Sequence, residues 1–253
     1  VNTQIFQLPA FDDNYIFILR SGGSTVVVDP GDAAIVASFL EKQNWTLDEI
    51  WITHHHLDHI GGVGELVQKF GAKVRGSVYD QHRLPKLDVT HSDNDHFVWN
   101  GLGVEVLFLP GHTSGHIAYL LADSKWLLSG DVIFALGCGR LFEGSASQMH
   151  ESLSRIMRLS DDIEIFCTHE YTESNAQFAL NVEPGNVALQ HRIEEIKTLR
   201  KQGLPTIPTS IDLEKQTNPF VRLQSQEIRE QLELEVASDL EVFTALRKLK
   251  DVF

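Results

Sequence analysis

The chain has 253 residues, of which 42% are apolar and 22% charged, enough for one large domain or a domain with a smaller appendage. A formal net charge of −14 and a sequence pI near 5.2 argue against a general nucleic-acid or anionic-membrane surface, and leave room for a small anionic ligand only where basic residues gather locally. The only two cysteines, Cys138 and Cys167, exclude a disulfide framework and fit a reducing compartment, so the cytoplasm is expected.

Val1 to Gln7 has no basic stretch followed by an apolar one, so no secretory signal is expected, and no apolar run approaches a membrane span. Gln4 to Leu8, Tyr15 to Leu19 and Thr25 to Val28 read as strands separated by turn chemistry. The third ends in Asp29-Pro30-Gly31. A helix from Ala33 to about Gln43 follows, with Asp32 as N-cap and Ile35, Val36, Phe39 and Leu40 inward.

Ile50-Trp51-Ile52 reads as a buried strand that runs into Thr53-His54-His55-His56-Leu57-Asp58-His59, four histidines and a carboxylate in seven residues. In extended backbone, residues i and i+2 point the same way, which aims His54 and His56 together and turns His55 aside. Asp58 and His59 are expected after the chain bends, and the next helix near Gly61-Gly62, with Leu66, Val67 and Phe70 on one face and Gly71 ending it. Imidazole pairs with a carboxylate suit divalent transition metals, and two separate aims in one loop suggest two ions.

After a strand near Val74, the polar stretch Asp80 to Asp95 reads as loop or peripheral structure, with His82, His91 and His96 expected at the surface. Val104 to Leu109 runs as a strand into Pro110-Gly111-His112-Thr113-Ser114-Gly115-His116. Two more strands, Ile117 to Leu121 and Trp126 to Ser129, precede Gly130-Asp131. An internal echo appears here. In both halves an apolar strand ends in Asp, a helix intervenes, and a second apolar strand ends in Thr-His: Asp29 and Thr53-His54, then Asp131 and Thr168-His169. The second helix spans Ser147 to about Leu159. Such a repeat predicts two sheets packed face to face with helices outside and polar strand ends along one edge.

From about Thr172 the spacing turns helical over Glu173 to Val182, Val187 to Gln202 and Asp239 to Asp251, with prolines at the joins. The expected division is 1–171, which carries the metal loop, and 172–253, a smaller helical region packed on it. On the last helix Leu240, Phe243 and Leu246 form an apolar stripe, and Arg247 and Lys250 share a face.

Seven candidate ligands stand at strand ends or turns: His54, His56, Asp58, His59, His112, Asp131 and His169. Their order resembles the metallo-β-lactamase superfamily, which carries T-H-x-H-x-D-H followed by distant His, Asp and His. The resemblance implies an α/β fold, a four-layer αββα sandwich with a C-terminal helical region. It also implies one metal on His54, His56 and His112, a second on Asp58, His59 and His169, and Asp131 bridging them. Two such ions lower the pKa of a shared water and polarise a carbonyl; zinc comes first, with iron or manganese as alternatives.

A closer resemblance, to glyoxalase II (the hydroxyacylglutathione hydrolase family), covers essentially the whole chain. It is carried by Phe11-Asp12-Asp13-Asn14-Tyr15, the metal loop, Gly137-Cys138-Gly139-Arg140-Leu141-Phe142, Thr168-His169-Glu170-Tyr171 and Asn218-Pro219-Phe220. It implies a thioesterase acting on glutathione thioesters, above all S-D-lactoylglutathione, with glutathione contacts from Arg140, Phe142, Tyr171, Arg247 and Lys250; a monomer is expected. Phe142 stands where some relatives carry Tyr and has no hydroxyl to donate. Asp58 and Asp131 are expected as the catalytic carboxylates, with Asp58 also orienting the nucleophile; Cys138 and Cys167 are expected to be structural, and His55 and His116 to support the ligands or pack beside them. The rivals are a mononuclear-iron glutathione persulfide dioxygenase of the same fold, a phosphodiesterase disfavoured by the acidic balance, and a non-catalytic metal-binding protein disfavoured by the complete ligand set.

Overall fold

The computed structural model describes residues 3–253; Val1 and Asn2, the start of the expected 1–171 region, lie outside the described residues. The chain packs as two compact units. One is formed by the chain up to Phe108 together with Ser114–Gly130, the other by Leu109–Thr113 together with Asp131–Phe253.

The first unit opens with β1 (Thr3–Ala10), β2 (Asn14–Ser21) and β3 (Ser24–Val28), an antiparallel meander. Helix α1 (Ala33–Gln43) is capped by Asp32, whose side chain accepts from the Ala34 and Ile35 amides. It carries the chain across so that β4 (Glu49–Trp51) pairs parallel with β3, as a helical crossover allows. The metal loop then contains a one-turn helix α2 (Leu57–Ile60), followed by α3 (Val63–Phe70) and β5 (Lys73–Ser77), parallel to β4. A short β6 (Val89–His91) completes this six-stranded sheet. Strands β7 (His96–Trp99), β8 (Leu102–Phe108), β9 (Ile117–Leu121) and β10 (Trp126–Gly130) pair antiparallel in sequence.

Strand alternation divides the core. Ile50 and Ile52 join Ile18, Val27 and Val74 in the cluster that α1 and α3 cover with Val36, Leu40 and Leu66. Trp51 faces the other way, 5.3 Å from Phe97, 5.7 Å from Trp99 and 5.1 Å from Tyr119. This aromatic layer joins the first sheet to the β7–β10 meander, and the Tyr119 hydroxyl donates to the Ile52 carbonyl at the last residue before the metal loop.

In the second unit, β11 (Ile133–Phe134) and β12 (Gly137–Cys138) form a short hairpin, and α4 (Ala146–Ile156) starts from a Ser145/Gln148 capping box. β13 (Glu164–Cys167) leads through Thr168-His169 to α5 (Thr172–Val182) and α6 (Val187–Lys201). β14 (Thr209–Ser210), α7 (Ile211–Thr217), α8 (Gln226–Gln231) and α9 (Asp239–Val252) follow. A buried Arg192–Glu214 pair is satisfied by Thr209 and Thr217; Glu214 also accepts the Leu136 amide, which fixes the hairpin.

Several expectations need correction. Asp58 and His59 lie within α2 rather than before the first helical turn. The stretch read as loop contains β6, and β7 follows it. His91 is buried, stacked on Phe97 with ring centroids 4.8 Å apart, because pairing of β6 with β5 turns it inward; His82 and His96 are exposed. The two short helices α7 and α8 have too few turns to show a periodic stripe. On α9 the inner stripe is Val242, Phe243 and Leu246, with Leu240 37% exposed. Among the described residues no helix is long and apolar enough to cross a membrane.

Gly31 lies against the metal loop: a Cβ there would sit 1.9 Å from the Asp58 carbonyl oxygen. Gly31→Ala is expected to lower unfolding free energy by about 1–3 kcal/mol through overpacking, measured by urea denaturation. An unchanged midpoint and slope would contradict the close approach.

Candidate metal and substrate site

In the first unit the end of β3 organises the metal loop. Asp29, at φ 50°, occupies the left-handed region, where Asp is among the better-tolerated side chains. Its buried carboxylate accepts from the Thr53 amide at 2.8 Å, the Thr53 hydroxyl at 2.6 Å and His59 Nδ1 at 3.0 Å. Having given its proton to Asp29, the Thr53 hydroxyl is left to accept from His54 Nδ1 at 3.0 Å. His54 and His59 are thereby held as Nδ1–H tautomers, each presenting Nε2 as a lone pair.

The presented atoms converge. His54 Nε2 and His56 Nδ1 are 3.1 Å apart, and His59 Nε2 is 3.4 Å from Asp58 Oδ2, which also accepts from Asn14 Nδ2 at 2.9 Å. Two atoms sharing an ion at about 2.0–2.1 Å in tetrahedral geometry stand about 3.3–3.4 Å apart. The separations in this loop are thus those of ligand edges. His116 is buried and stacked on His54 with ring centroids 4.8 Å apart, and His55 bonds to Asp80 rather than joining the ligand set.

The second unit repeats the geometry around one carboxylate oxygen. Asp131 Oδ2 lies 3.4 Å from His112 Nε2 and 3.3 Å from His169 Nε2, and all three residues are buried. His112 Nδ1 donates to the Arg140 carbonyl at 2.8 Å, fixing its tautomer as Thr53 fixes that of His54. Gly139 makes this possible, since a Cβ there would lie 2.0 Å from the Asp131 carbonyl oxygen. The donor types and separations fit divalent metal binding in both units.

The expected substrate residues of this unit fall into two sets. Phe142 and Tyr171 are exposed aromatics leaning on two of the candidate ligand rings: Phe142 is edge-on to His112 at 5.3 Å, and Tyr171 stacks on His169 at 4.7 Å. Arg140 and Arg247 meet on Asp251, and Lys250 lies within range of both of their charges. Arg247 is only 5% exposed; it donates to the Cys138 carbonyl at 3.0 Å and to Asp251 at 2.9 Å, so it ties α9 to the Gly-Cys-Gly turn. Arg140 Nε reaches Asp251 at 3.7 Å from a largely exposed side chain. Half-buried Lys250 donates to the Ser174 carbonyl at 3.3 Å, and burial, then the charges of Arg247 and Arg140, hold its pKa below the ordinary lysine range. Two guanidiniums on one carboxylate, with the Lys250 ammonium near enough to feel both of them, leave an excess of positive charge that suits an anionic ligand.

Neither cysteine is prepared for nucleophilic attack. Burial pushes the Cys138 thiol up to about 11 despite the Arg247 guanidinium beside it, and burial pushes Cys167 higher still. Asp29, Asn14 and Asp251 were not singled out from sequence. Asp29 had a signal in the strand-end Asp of the internal echo, Asn14 lay inside a quoted motif, and Asp251 followed Lys250.

Residues 10–169 match the model of the metallo-beta-lactamase superfamily, and residues 170–253 match that of the hydroxyacylglutathione hydrolase C-terminus. A hydroxyacylglutathione hydrolase of Methylococcus capsulatus is 45% identical over 99% of this chain and 98% of its own. The chain belongs to the hydroxyacylglutathione hydrolase family. Another family member, from Ectopseudomonas mendocina, is 46% identical over 99% of both chains. The crystal structure of ETHE1 from Myxococcus xanthus aligns at 25% identity and a TM-score of 0.66, covering 98% of this chain and 99% of that one. The fold is that of the metallo-beta-lactamase superfamily with a C-terminal helical region.

Proposed function

We propose that this hydroxyacylglutathione hydrolase cleaves S-(2-hydroxyacyl)glutathione thioesters, chiefly S-D-lactoylglutathione, to glutathione and the free hydroxy acid. The observation that carries the reading is the pairing, within one unit, of a ligand carboxylate flanked by two imidazoles with a cation group built on the adjoining Gly-Cys-Gly-Arg turn. Nearly full-length relatedness to members of this family supports it. In this reading His54, His56 and His112 hold one divalent metal, Asp58, His59 and His169 hold a second, and Asp131 serves both, zinc being the first choice. Bound there, such ions generate a nucleophile from water near neutral pH and polarise the carbonyl.

The chain's own residues do the rest. Arg140 and Lys250 attract substrate carboxylates from the exposed side, and Arg247 keeps α9 and the turn together beneath them. Tyr171 and Phe142 supply apolar faces beside the reacting carbonyl, Phe142 without a hydroxyl contact. Asp58, held by Asn14, accepts a hydrogen bond from the attacking water and orients it. Attack forms the C–O bond and breaks the C–S bond. A thiol of pKa about 8.5 leaves as thiolate without a dedicated acid, consistent with assigning no further Glu or His. The division 1–171 for metals and 172–253 for substrate belongs to the same reading, as does action as a monomer in a reducing compartment. The match of residues 170–253 to the hydrolase C-terminus favours the thioesterase over a persulfide dioxygenase or a non-catalytic metal protein.

Purified protein is expected to hydrolyse S-D-lactoylglutathione rapidly, with activity lost on chelation and restored by zinc. Metal-loaded protein that leaves the thioester intact, yet consumes oxygen on glutathione persulfide, would reverse the reading.

Charge on Lys250 is lost at a lower pH than for an ordinary lysine, so anion affinity falls as pH rises through that depressed value. The expected profile is a KM that climbs at alkaline pH while kcat stays level. Lys250→Arg, charged at every accessible pH, moves the climb upward. Identical profiles for both proteins would remove Lys250 from the substrate site.

A further inference from the structure

His55, the histidine that the metal-loop pattern leaves out, is engaged elsewhere in the first unit. Its Nδ1 donates at 3.2 Å to Asp80 Oδ2, and its ring stands edge-on to His56 with centroids 5.0 Å apart at 67°. Asp80 ends a single 3-10 turn, Val78–Asp80, just after β5, and its side chain is 1% exposed. Burying a carboxylate so completely is costly unless it is paired and hydrogen-bonded. Arg83 supplies the charge, donating from Nε at 3.2 Å and from a second nitrogen to Asp80 Oδ1. The same guanidinium donates to the Ser114 hydroxyl at 3.0 Å. Gly115 closes over the carboxylate so tightly that a Cβ there would lie 2.1 Å from Asp80 Cγ.

We propose that Asp80 is a positioning residue for the metal loop. It fixes the His55 ring, that ring braces the imidazole of His56, and Arg83 ties the same carboxylate to the Ser114-Gly115 turn. The mechanism is geometric. His56 heads α2 with its ring half-buried, so the edge-on contact with His55 limits its rotation. Without that brace His56 Nδ1 is no longer held 3.1 Å from His54 Nε2, and the ligand pair must be ordered when the ion binds. Partners outside the coordination shell change metal affinity by about 10–100-fold when removed. The inference rests on His56 being a metal ligand, as proposed above.

The test is zinc titration of metal-free protein against a chromophoric chelator, with thermal melts of the same samples, for wild type, Asp80→Asn, His55→Ala and the double variant. Each single substitution is expected to weaken zinc binding about 10–100-fold, and the double variant no more than the worse single, because both lie on one route. Should Asp80→Asn fail to fold, His55→Ala decides alone, since it leaves the Asp80–Arg83 pair intact. A folded single variant with affinity within twofold of wild type, or losses that multiply in the double variant, would overturn the proposal. A wild-type protein that binds no zinc, or His56→Ala binding as tightly as wild type, would instead overturn the ligand assignment beneath it.

Discussion

The structure turns on one electrostatically awkward requirement, that imidazole nitrogens and carboxylate oxygens be held facing one another at close quarters, His54, His59, His112, Asp131 and His169 out of water and His56 and Asp58 partly in it. His54 with His56, Asp58 with His59, and Asp131 with both His112 and His169 stand 3.1–3.4 Å apart. Where no proton stands between them, atoms so close repel, and removing a carboxylate such as Asp131 from water costs several kcal/mol if nothing compensates it. The arrangement therefore depends on a scaffold that leaves these groups nowhere else to go. The alternating core of β4, with Ile50 and Ile52 on one face and Trp51 on the other, delivers the metal loop rigidly, and Asp29, Thr53 and the Arg140 carbonyl set the tautomers. A divalent cation is the partner that turns this repulsion into attraction.

A second economy links metal chemistry to substrate recognition. The Gly-Cys-Gly-Arg turn presses its backbone against Asp131, orients His112 through the Arg140 carbonyl, and sends the Arg140 side chain towards the cations of α9. In the proposed function one turn thus both positions a metal ligand and reads an anion. The excess of acidic residues over the rest of the chain makes that local positive group more distinctive, since diffuse attraction of anions is suppressed while a focused one remains.

How far the sequence was legible depended on whether a residue's role is local. The H-x-H-x-D-H pattern was readable because its residue types and spacing lie within one short segment; β4 itself ends at Trp51, so His54 and His56 converge from irregular backbone held by Asp29 and Thr53 rather than from a strand's alternation. α1, α5, α6 and α9 showed several turns of apolar spacing, whereas α7 and α8 did not. Roles set by distant partners were hidden. His91 looked like a surface histidine until β6 paired with β5, and Arg247 was expected as a glutathione contact beside Lys250, with nothing in the sequence to show that the Cys138 carbonyl takes it inside. Asp80 lay in a stretch without periodicity, and its function emerges only from bonds to His55 and Arg83, which no window of sequence displays together with the turn at Gly115.

The central claim is that a single carboxylate, Asp131, serves two ions, and it is tested most directly by counting metals. Metal content and chelator-competition affinity should be measured on Asp131→Ala beside wild type, with hydrolysis of S-D-lactoylglutathione assayed on the same samples. The account predicts two ions per wild-type chain, and in the variant weakened binding of both together with loss of turnover. A variant that keeps two tightly held ions and full activity would show that Asp131 bridges nothing.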